Sequence, residues 1–89
     1  MIDTIMNKAA IEERVKEILE AYGLHSRQLE SNASFINDLG LDSLEMAELI
    51  LTAEHSFDIS ISYDNDYIDT INDLVNTIEG LLKMNLSNK

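Results

Sequence analysis

Residues 35–45 read FINDLGLDSLE, and within them a loop ends and a helix begins. Gly40 gives the backbone conformational freedom just before the helix start. Asp42 is a favourable N-cap residue, and Glu45 follows three residues later, as in a capping box. The stretch therefore predicts a helix that begins at Ser43 and runs to about Ser56.

This predicted helix has two apolar faces. At about 100° per residue, one arc would face the core. That arc holds Met46, Leu49, Ile50, Ala53 and Phe57. The second arc holds Ser43, Leu44, Ala47, Glu48, Leu51, Glu54 and His55. The helix is either sandwiched inside a bundle or exposes an outer face to partners. The second is favoured, because a buried face would not tolerate unpaired Glu48 and Glu54.

Two further amphipathic helices are predicted. The first spans Asn7–Tyr22, with either Asn7 or Thr4 as its cap, and Gly23 follows it where a left-handed residue is wanted. Its apolar stripe consists of Ile11, Val15, Ile18, Leu19 and Tyr22.

The last helix runs from Ile71 to Leu82 or a little beyond. Thr70 is a plausible N-cap, and Asp73 follows three residues later. Its apolar stripe consists of Ile71, Leu74, Val75, Ile78, Leu81 and Leu82. The stripe spans about 120° of the helix circumference.

The connections complete the predicted fold. Residues 24–41 lack helical period, and six apolar residues should fasten this loop to the core: Leu24, Leu29, Phe35, Ile36, Leu39 and Leu41. Residues 58–69 begin with strand-like alternation, but a lone strand has nothing to pair with. We expect a loop there with one irregular helical turn near Asp64–Ile68. The predicted class is all-α: a small four-helix bundle of three main helices and one short irregular helix, with a long loop between the first two.

The length of 89 residues suits one small domain. We assign residues 7–84 to it, residues 1–6 to a flexible N-terminal extension and residues 85–89 to a flexible tail. Translation could start at Met1 or at Met6.

The chain is strongly acidic, with 17 Asp and Glu against six Lys and Arg and a formal charge of −11. This balance disfavours nucleic acid and anionic membrane surfaces as partners. No Lys or Arg occurs from Gln28 to Leu82, whereas that stretch holds twelve carboxylates. They either only keep the surface solvated or dock basic partners by charge complementarity.

Composition and sequence pattern also indicate the cell compartment. There is no Cys, which excludes disulfides and cysteine metal sites. No apolar run approaches the roughly 18 residues of a membrane-spanning helix, and the N-terminus shows no secretory or transit pattern. We expect a cytoplasmic monomer without membrane insertion.

Independent catalysis is not indicated. A nucleophilic Ser needs a base within hydrogen-bond reach, but His55 lies about 18 Å beyond Ser43 along a helix. His25 in the loop carries no sign of that role. The acidic stretch 64–69 resembles a calcium loop only in composition, since that loop's Gly and terminal Glu are missing. We expect neither an enzyme nor a metal site.

The pattern Phe-x-x-Asp-Leu-Gly-x-Asp-Ser-Leu in residues 35–44 resembles the acyl carrier protein family. Further matches are IEERV at 11–15, Glu48-Leu49, and FDI at 57–59 with Ile61 after it. The resemblance covers about residues 11–82.

The resemblance implies a role. In this family the motif Ser bears a 4′-phosphopantetheine arm through a phosphodiester, which places the attachment on Ser43. The thiol of the arm holds acyl groups as thioesters, so the chain needs no Cys. The implied partners are a phosphopantetheinyl transferase and acyl synthases or transferases with basic docking patches. The implied contact positions are Asp42, Leu44, Glu45, Ala47, Glu48, Leu51 and Glu54.

Some positions depart from the family pattern. Residues 58–70 are slightly shorter than usual, Ser62 stands where Pro is usual, and His55 where an acidic residue is common. These departures concern the family's third helix and partner preference. They point to a specialised carrier, such as a polyketide one, rather than the housekeeping carrier of fatty acid synthesis. The alternatives are a peptidyl or D-alanyl carrier and an unmodified acidic helical module that binds a basic partner.

Overall fold

The computed structural model describes residues 7–61 and 68–87, with side chains through Met84. Three α-helices follow one another: α1 (Lys8–Ala21), α2 (Ser43–Phe57) and α3 (Ile71–Ser87). A short 3₁₀ helix, Ser26–Gln28, lies between α1 and α2. The described residues contain no strand, only one isolated bridge, so the all-α prediction is confirmed. The irregular turn expected near Asp64–Ile68 falls largely on residues outside the described ranges.

Side chains predicted as caps hold the helix starts. The Asn7 Oδ1 accepts a hydrogen bond from the Ala10 N–H at 2.8 Å, so Asn7 caps α1. At α3, the Asp73 N–H donates to the Thr70 Oγ1 at 3.1 Å, and the Thr70 N–H donates to the Asp73 Oδ2 at 3.0 Å. This reciprocal pair satisfies two donors that the helix cannot use internally.

The helix ends differ slightly from the prediction. Gly23 follows α1 with φ of 97°, the left-handed conformation expected there. Helix α2 continues to Phe57, and Asp58 ends it with φ of 57°. Helix α3 continues beyond Leu82 to Ser87, so residues 85–87, which were expected in the flexible tail, are helical.

One hydrophobic core joins the three helices and the connecting loops. Helix α1 packs against both α2 and α3, more extensively against α3. The core residues are Ile11, Val15, Leu19, Leu29, Ala33, Phe35, Leu39, Leu41, Leu49, Ile50, Ala53, Phe57, Ile61, Ile71, Leu74, Val75 and Ile78. Within residues 7–61 and 68–87, no helix combines the length and apolar character needed to cross a bilayer.

The loop between α1 and α2 is fastened to the core largely as predicted. Four of its six expected residues are buried: Leu29, Phe35, Leu39 and Leu41. Leu24 is half-buried against the core. The expectation for Ile36 is wrong, because its side chain is 55% exposed. The 3₁₀ helix was also not predicted, since three residues are too few to show a period.

The same loop is hydrogen-bonded to the residues that precede α3. The Phe35 N–H donates to the Asp69 carbonyl at 2.8 Å, and the buried Ser34 hydroxyl donates to the Asp69 Oδ1 at 2.9 Å. Ser34 and Thr70 also form an isolated antiparallel bridge. The Ser34 Oγ accepts from the Asn37 N–H at 3.1 Å, so this one side chain fastens both ends of a turn.

Two further bonds close the start of α3. The Ile71 N–H donates to the Ala33 carbonyl at 3.2 Å, and the Asn72 N–H donates to the Ser31 carbonyl at 2.8 Å. These are the first two N–H groups of the helix, which have no partner inside it. The loop thus covers the N-terminus of α3.

Candidate functional site

Ser43 is the first residue of α2, and its side chain is exposed. The predicted capping box is present next to it. The Glu45 N–H donates to the Asp42 Oδ1 at 2.8 Å, and the Asp42 N–H donates to the Glu45 Oε1 at 2.9 Å. This box fixes the direction in which the chain enters α2, and with it the position of the Ser43 hydroxyl.

The N-terminus of α2 remains open between those two capped groups. No described residue accepts a hydrogen bond from the N–H of Ser43 or Leu44, and none bonds to the Ser43 hydroxyl. Unpaired N–H groups at a helix start carry partial positive charge and favour an anionic group. The Asp42 carboxylate beside them reduces this benefit, so the effect is modest.

The outer face of α2 is exposed where the sequence predicted. The side chain of Leu44 is 68% exposed and that of Leu51 is 55% exposed. The opposite arc is buried at Leu49, Ile50, Ala53 and Phe57, with Met46 half-buried against the core. The interpretation of α2 as a sandwiched helix is therefore wrong.

Two of the predicted contact residues are less available than the sequence suggested. Ala47 is half-buried, and so is Glu54. The Glu54 Oε2 accepts a hydrogen bond from the Ile61 N–H at 2.6 Å. Glu54 thus holds the chain that follows α2 against the helix. Sequence periodicity gave no sign of this role, because the partner lies outside the helix.

A shallow groove of about 490 Å³ lies between the end of α1 and the outer face of α2. Its lining residues are Tyr22, Glu45, Glu48, Leu51, Thr52 and His55. Tyr22 was expected in the core stripe of α1, but its side chain is 37% exposed and its hydroxyl lies 3.2 Å from the Thr52 Oγ1. The outer face therefore includes Tyr22, the residue that caps the C-terminus of α1. One feature of the sequence indicated this exposure. Tyr22 is the last residue of the apolar stripe of α1 and lies beyond the last full turn of the helix.

Among the described residues, ion pairs form within α1 but not on α2. Within α1, the Lys16 Nζ lies 3.1 Å from the Glu12 Oε2, and Arg14 lies 4.0 Å from Glu17. The Ser31 hydroxyl, which donates to the Glu12 Oε2 at 2.7 Å, and Lys16 lower the pKa of Glu12. No carboxylate of α2 forms an ion pair with a described residue. The outer face of α2 thus keeps its negative charge.

The described part of the chain holds no cluster of three or more side chains placed to bind a metal ion. Its Ser43 hydroxyl has no hydrogen-bonded base among the described residues. The arrangement places an exposed hydroxyl next to an exposed acidic face.

Comparison with known proteins assigns the chain to a family. The family model for the phosphopantetheine attachment site matches residues 9–78. The chain belongs to the acyl carrier protein family. Two relatives named acyl carrier protein come from Buchnera aphidicola subsp. Acyrthosiphon pisum, strains Tuc7 and APS. Each is 42% identical over 77 residues, which is 85% of this chain and 94% of the relative.

Acyl carrier proteins are carriers, not catalysts, and membership implies a covalently attached 4′-phosphopantetheine group. The start of α2 fits such a group in two respects. It presents an exposed hydroxyl without a hydrogen bond in the described chain, and the adjoining N–H groups of Ser43 and Leu44 are free to receive phosphate oxygens. The chain has no Cys, so a thioester requires a thiol from such a group.

Proposed function

We propose that Ser43 bears the 4′-phosphopantetheine arm and that the chain carries acyl intermediates as thioesters on its thiol. The observation that carries this proposal is the exposed Ser43 hydroxyl at the open start of α2, inside the matched residues 9–78. Esterification there adds a phosphodiester beside two unpaired N–H groups, where a helix start favours negative charge. Since no described side chain hydrogen-bonds the hydroxyl, the transferase must supply the base that removes its proton.

The outer face of α2 is the proposed docking surface for that transferase and for acyl synthases or transferases. Its exposed members are Asp42, Leu44, Glu45, Glu48 and Leu51, with Ala47 and Glu54 half-buried at its edge. Unpaired carboxylates around exposed leucines suit a partner with a basic rim and an apolar centre. Glu54 contributes less than the others, because its carboxylate is already bonded to the Ile61 N–H.

The proposed pathway is fatty acid synthesis or a specialised, polyketide-like synthesis. The acyl carrier protein relatives support fatty acid synthesis. His55 on the outer face, where an acidic residue is common in the family, favours a specialised synthesis. We further propose a cytoplasmic monomer with the carrier domain at residues 7–84.

The test is co-expression with a broad-specificity phosphopantetheinyl transferase, followed by intact mass measurement. We expect a mass increase of one arm on the wild-type chain, and fragmentation should place it on Ser43. Ser56→Ala is the matched control, since Ser56 is an exposed serine of the same helix and should not affect the modification. An unmodified wild-type chain would instead support the acidic protein-binding module.

A further inference from the structure

The Tyr22 ring is held at the groove by a directed pair of hydrogen bonds. The Thr52 hydroxyl donates to the Glu48 carbonyl at 2.9 Å, which uses its only proton. The contact of 3.2 Å between the Tyr22 and Thr52 hydroxyls is therefore donated by Tyr22. This bond ties the end of α1 to α2 and leaves the aromatic ring partly exposed along the groove.

The groove also contains a carboxylate without a cation. Glu48 is exposed, and its side chain forms no ion pair or hydrogen bond with any residue in 7–61 or 68–87. Glu45 lines the same groove, but its Oε1 is bonded to the Asp42 N–H. Exposed Leu51 adds an apolar surface. An aromatic ring, an unpaired carboxylate and an aliphatic side chain thus share one concave surface.

We propose that this groove receives an arginine side chain of the partner enzyme, with the Tyr22 ring and the Glu48 carboxylate as its two contacts. The inference rests on the proposed function, because it assumes that a partner docks on the outer face of α2. An arginine guanidinium stacks on aromatic faces and bonds carboxylates through a planar fork. A lysine ammonium is more strongly hydrated and lacks that fork, so it fits this combination less well.

The inference extends the docking surface from α2 to the C-cap of α1. Tyr22 becomes a specificity-determining residue, and Thr52 a positioning residue that acts through the Tyr22 hydroxyl. Neither residue belongs to the acidic face that helical periodicity alone defines.

The experiment measures the dissociation constant for a phosphopantetheinyl transferase, with Ser43→Ala in every variant so that binding is separated from modification. The variants are Tyr22→Leu, Tyr22→Phe, Glu48→Gln and the double variant Tyr22→Leu/Glu48→Gln. Met84→Ala is the matched control, since Met84 is an exposed apolar residue on α3 outside the groove. Thermal unfolding of each variant shows that all are folded at the temperature of the binding measurement.

We expect Tyr22→Leu to weaken binding about two- to fivefold, the range of an exposed cation–π contact, and Tyr22→Phe to weaken it less, because the ring remains. The double variant should lose less than the product of the two single effects, since both side chains contact one cation. Met84→Ala should bind as the parent does.

Three results would overturn the inference: unchanged binding of Tyr22→Leu, equal losses for Tyr22→Phe and Tyr22→Leu, or fully multiplicative effects in the double variant. A short peptide with one arginine should also bind the chain more tightly than its lysine counterpart, and equal affinities would overturn the choice of arginine. Failure of the proposed function is distinguished separately, because it would appear as an unmodified wild-type Ser43.

Discussion

The starts of α2 and α3 carry the same capping motif, but they differ in whether their remaining N–H groups are hydrogen-bonded. At α2 the reciprocal bonds join Asp42 and Glu45, and at α3 they join Thr70 and Asp73. Each pair satisfies two of the N–H groups at the helix start that have no acceptor inside the helix.

The difference lies in the two N–H groups that capping does not reach. At α3, those of Ile71 and Asn72 donate to carbonyls of the loop. At α2, those of Ser43 and Leu44 have no acceptor among the described residues. A covered helix start anchors the fold, whereas an open one is accessible to a group added from outside. The same capping signal therefore serves structure at one helix and, in our proposal, function at the other.

Two serines test this comparison with the largest expected effect. Ser43→Ala should abolish modification and leave stability nearly unchanged, because an exposed hydroxyl is lost in a turn that tolerates Ala. Ser34→Ala should leave modification in place and cost about 1–3 kcal/mol of stability, because the buried hydroxyl bonds both Asp69 and Asn37. Intact mass and urea unfolding report the two effects. Modification of the Ser43→Ala chain at another serine would refute the assignment.

Two leucines extend the comparison along α2. Leu49 is fully buried, so Leu49→Ala should cost about 2–5 kcal/mol of stability. Leu51 is more than half exposed, so Leu51→Ala should change stability by no more than about 0.5 kcal/mol. If Leu51 lies at an interface centre, the same change should weaken transferase binding by about 1 kcal/mol or more. A large drop in melting temperature for Leu51→Ala with unchanged binding would contradict an outer face.

The sequence predicted the parts of this molecule that depend on neighbours along the chain. Capping at Asp42 and Thr70 and the buried arc of α2 follow from spacings of a few residues, and the structure confirms them. The exposed outer face, with Ser43 at its edge, was predicted in the same way. The attachment role that we propose for Ser43 came from the family motif.

What the sequence missed depends on residues far apart. Ser34 and Asp69 are 35 positions apart, and no local pattern pairs them. Tyr22, the C-cap of α1, and Thr52 of α2 are 30 positions apart, so the groove they border could not be predicted either. Ile36 was misassigned because periodicity identifies an apolar side chain but not whether another segment covers it.

The Asp73 carboxylate in the capping box of α3 provides a pH test. Hydrogen bonds from the Asp69 N–H, the largest cause, and from Thr70 hold the pKa of Asp73 below its ordinary value of 3.8. The ionised form therefore stabilises the fold fully above pH 3.8, and this contribution is lost as the pH falls through the lower folded pKa. Asp73→Asn should cost about 0.5–2 kcal/mol at neutral pH, typical of a lost cap.

Urea unfolding across pH measures this effect. The difference between wild type and Asp73→Asn should shrink in acid, as the wild-type carboxyl becomes neutral. Glu45→Gln is the matched control at α2, where Gln also serves in a capping box and the cost should be small. A pH-independent difference for Asp73→Asn would show that its charge contributes nothing.

The smallest predicted effect separates an unpaired carboxylate from a paired one. Glu48 has no cation among the described residues, whereas Glu12 is bonded to Lys16 and to the Ser31 hydroxyl. At low ionic strength, Glu48→Gln should raise stability by up to about 0.5 kcal/mol by relieving repulsion in a chain of charge −11. Glu12→Gln should lower stability by about 0.2–1 kcal/mol, the range of an exposed ion pair.

Added salt should stabilise the wild type by screening the repulsion and should reduce both differences. Divalent cations should stabilise it further if they bind the folded form. Melting temperatures of the three chains in sodium chloride and magnesium chloride at matched ionic strength provide the measurement. A wild-type melting temperature that responds to neither salt would contradict this prediction. It would mean that repulsion among the carboxylates does not lower the stability of the folded protein.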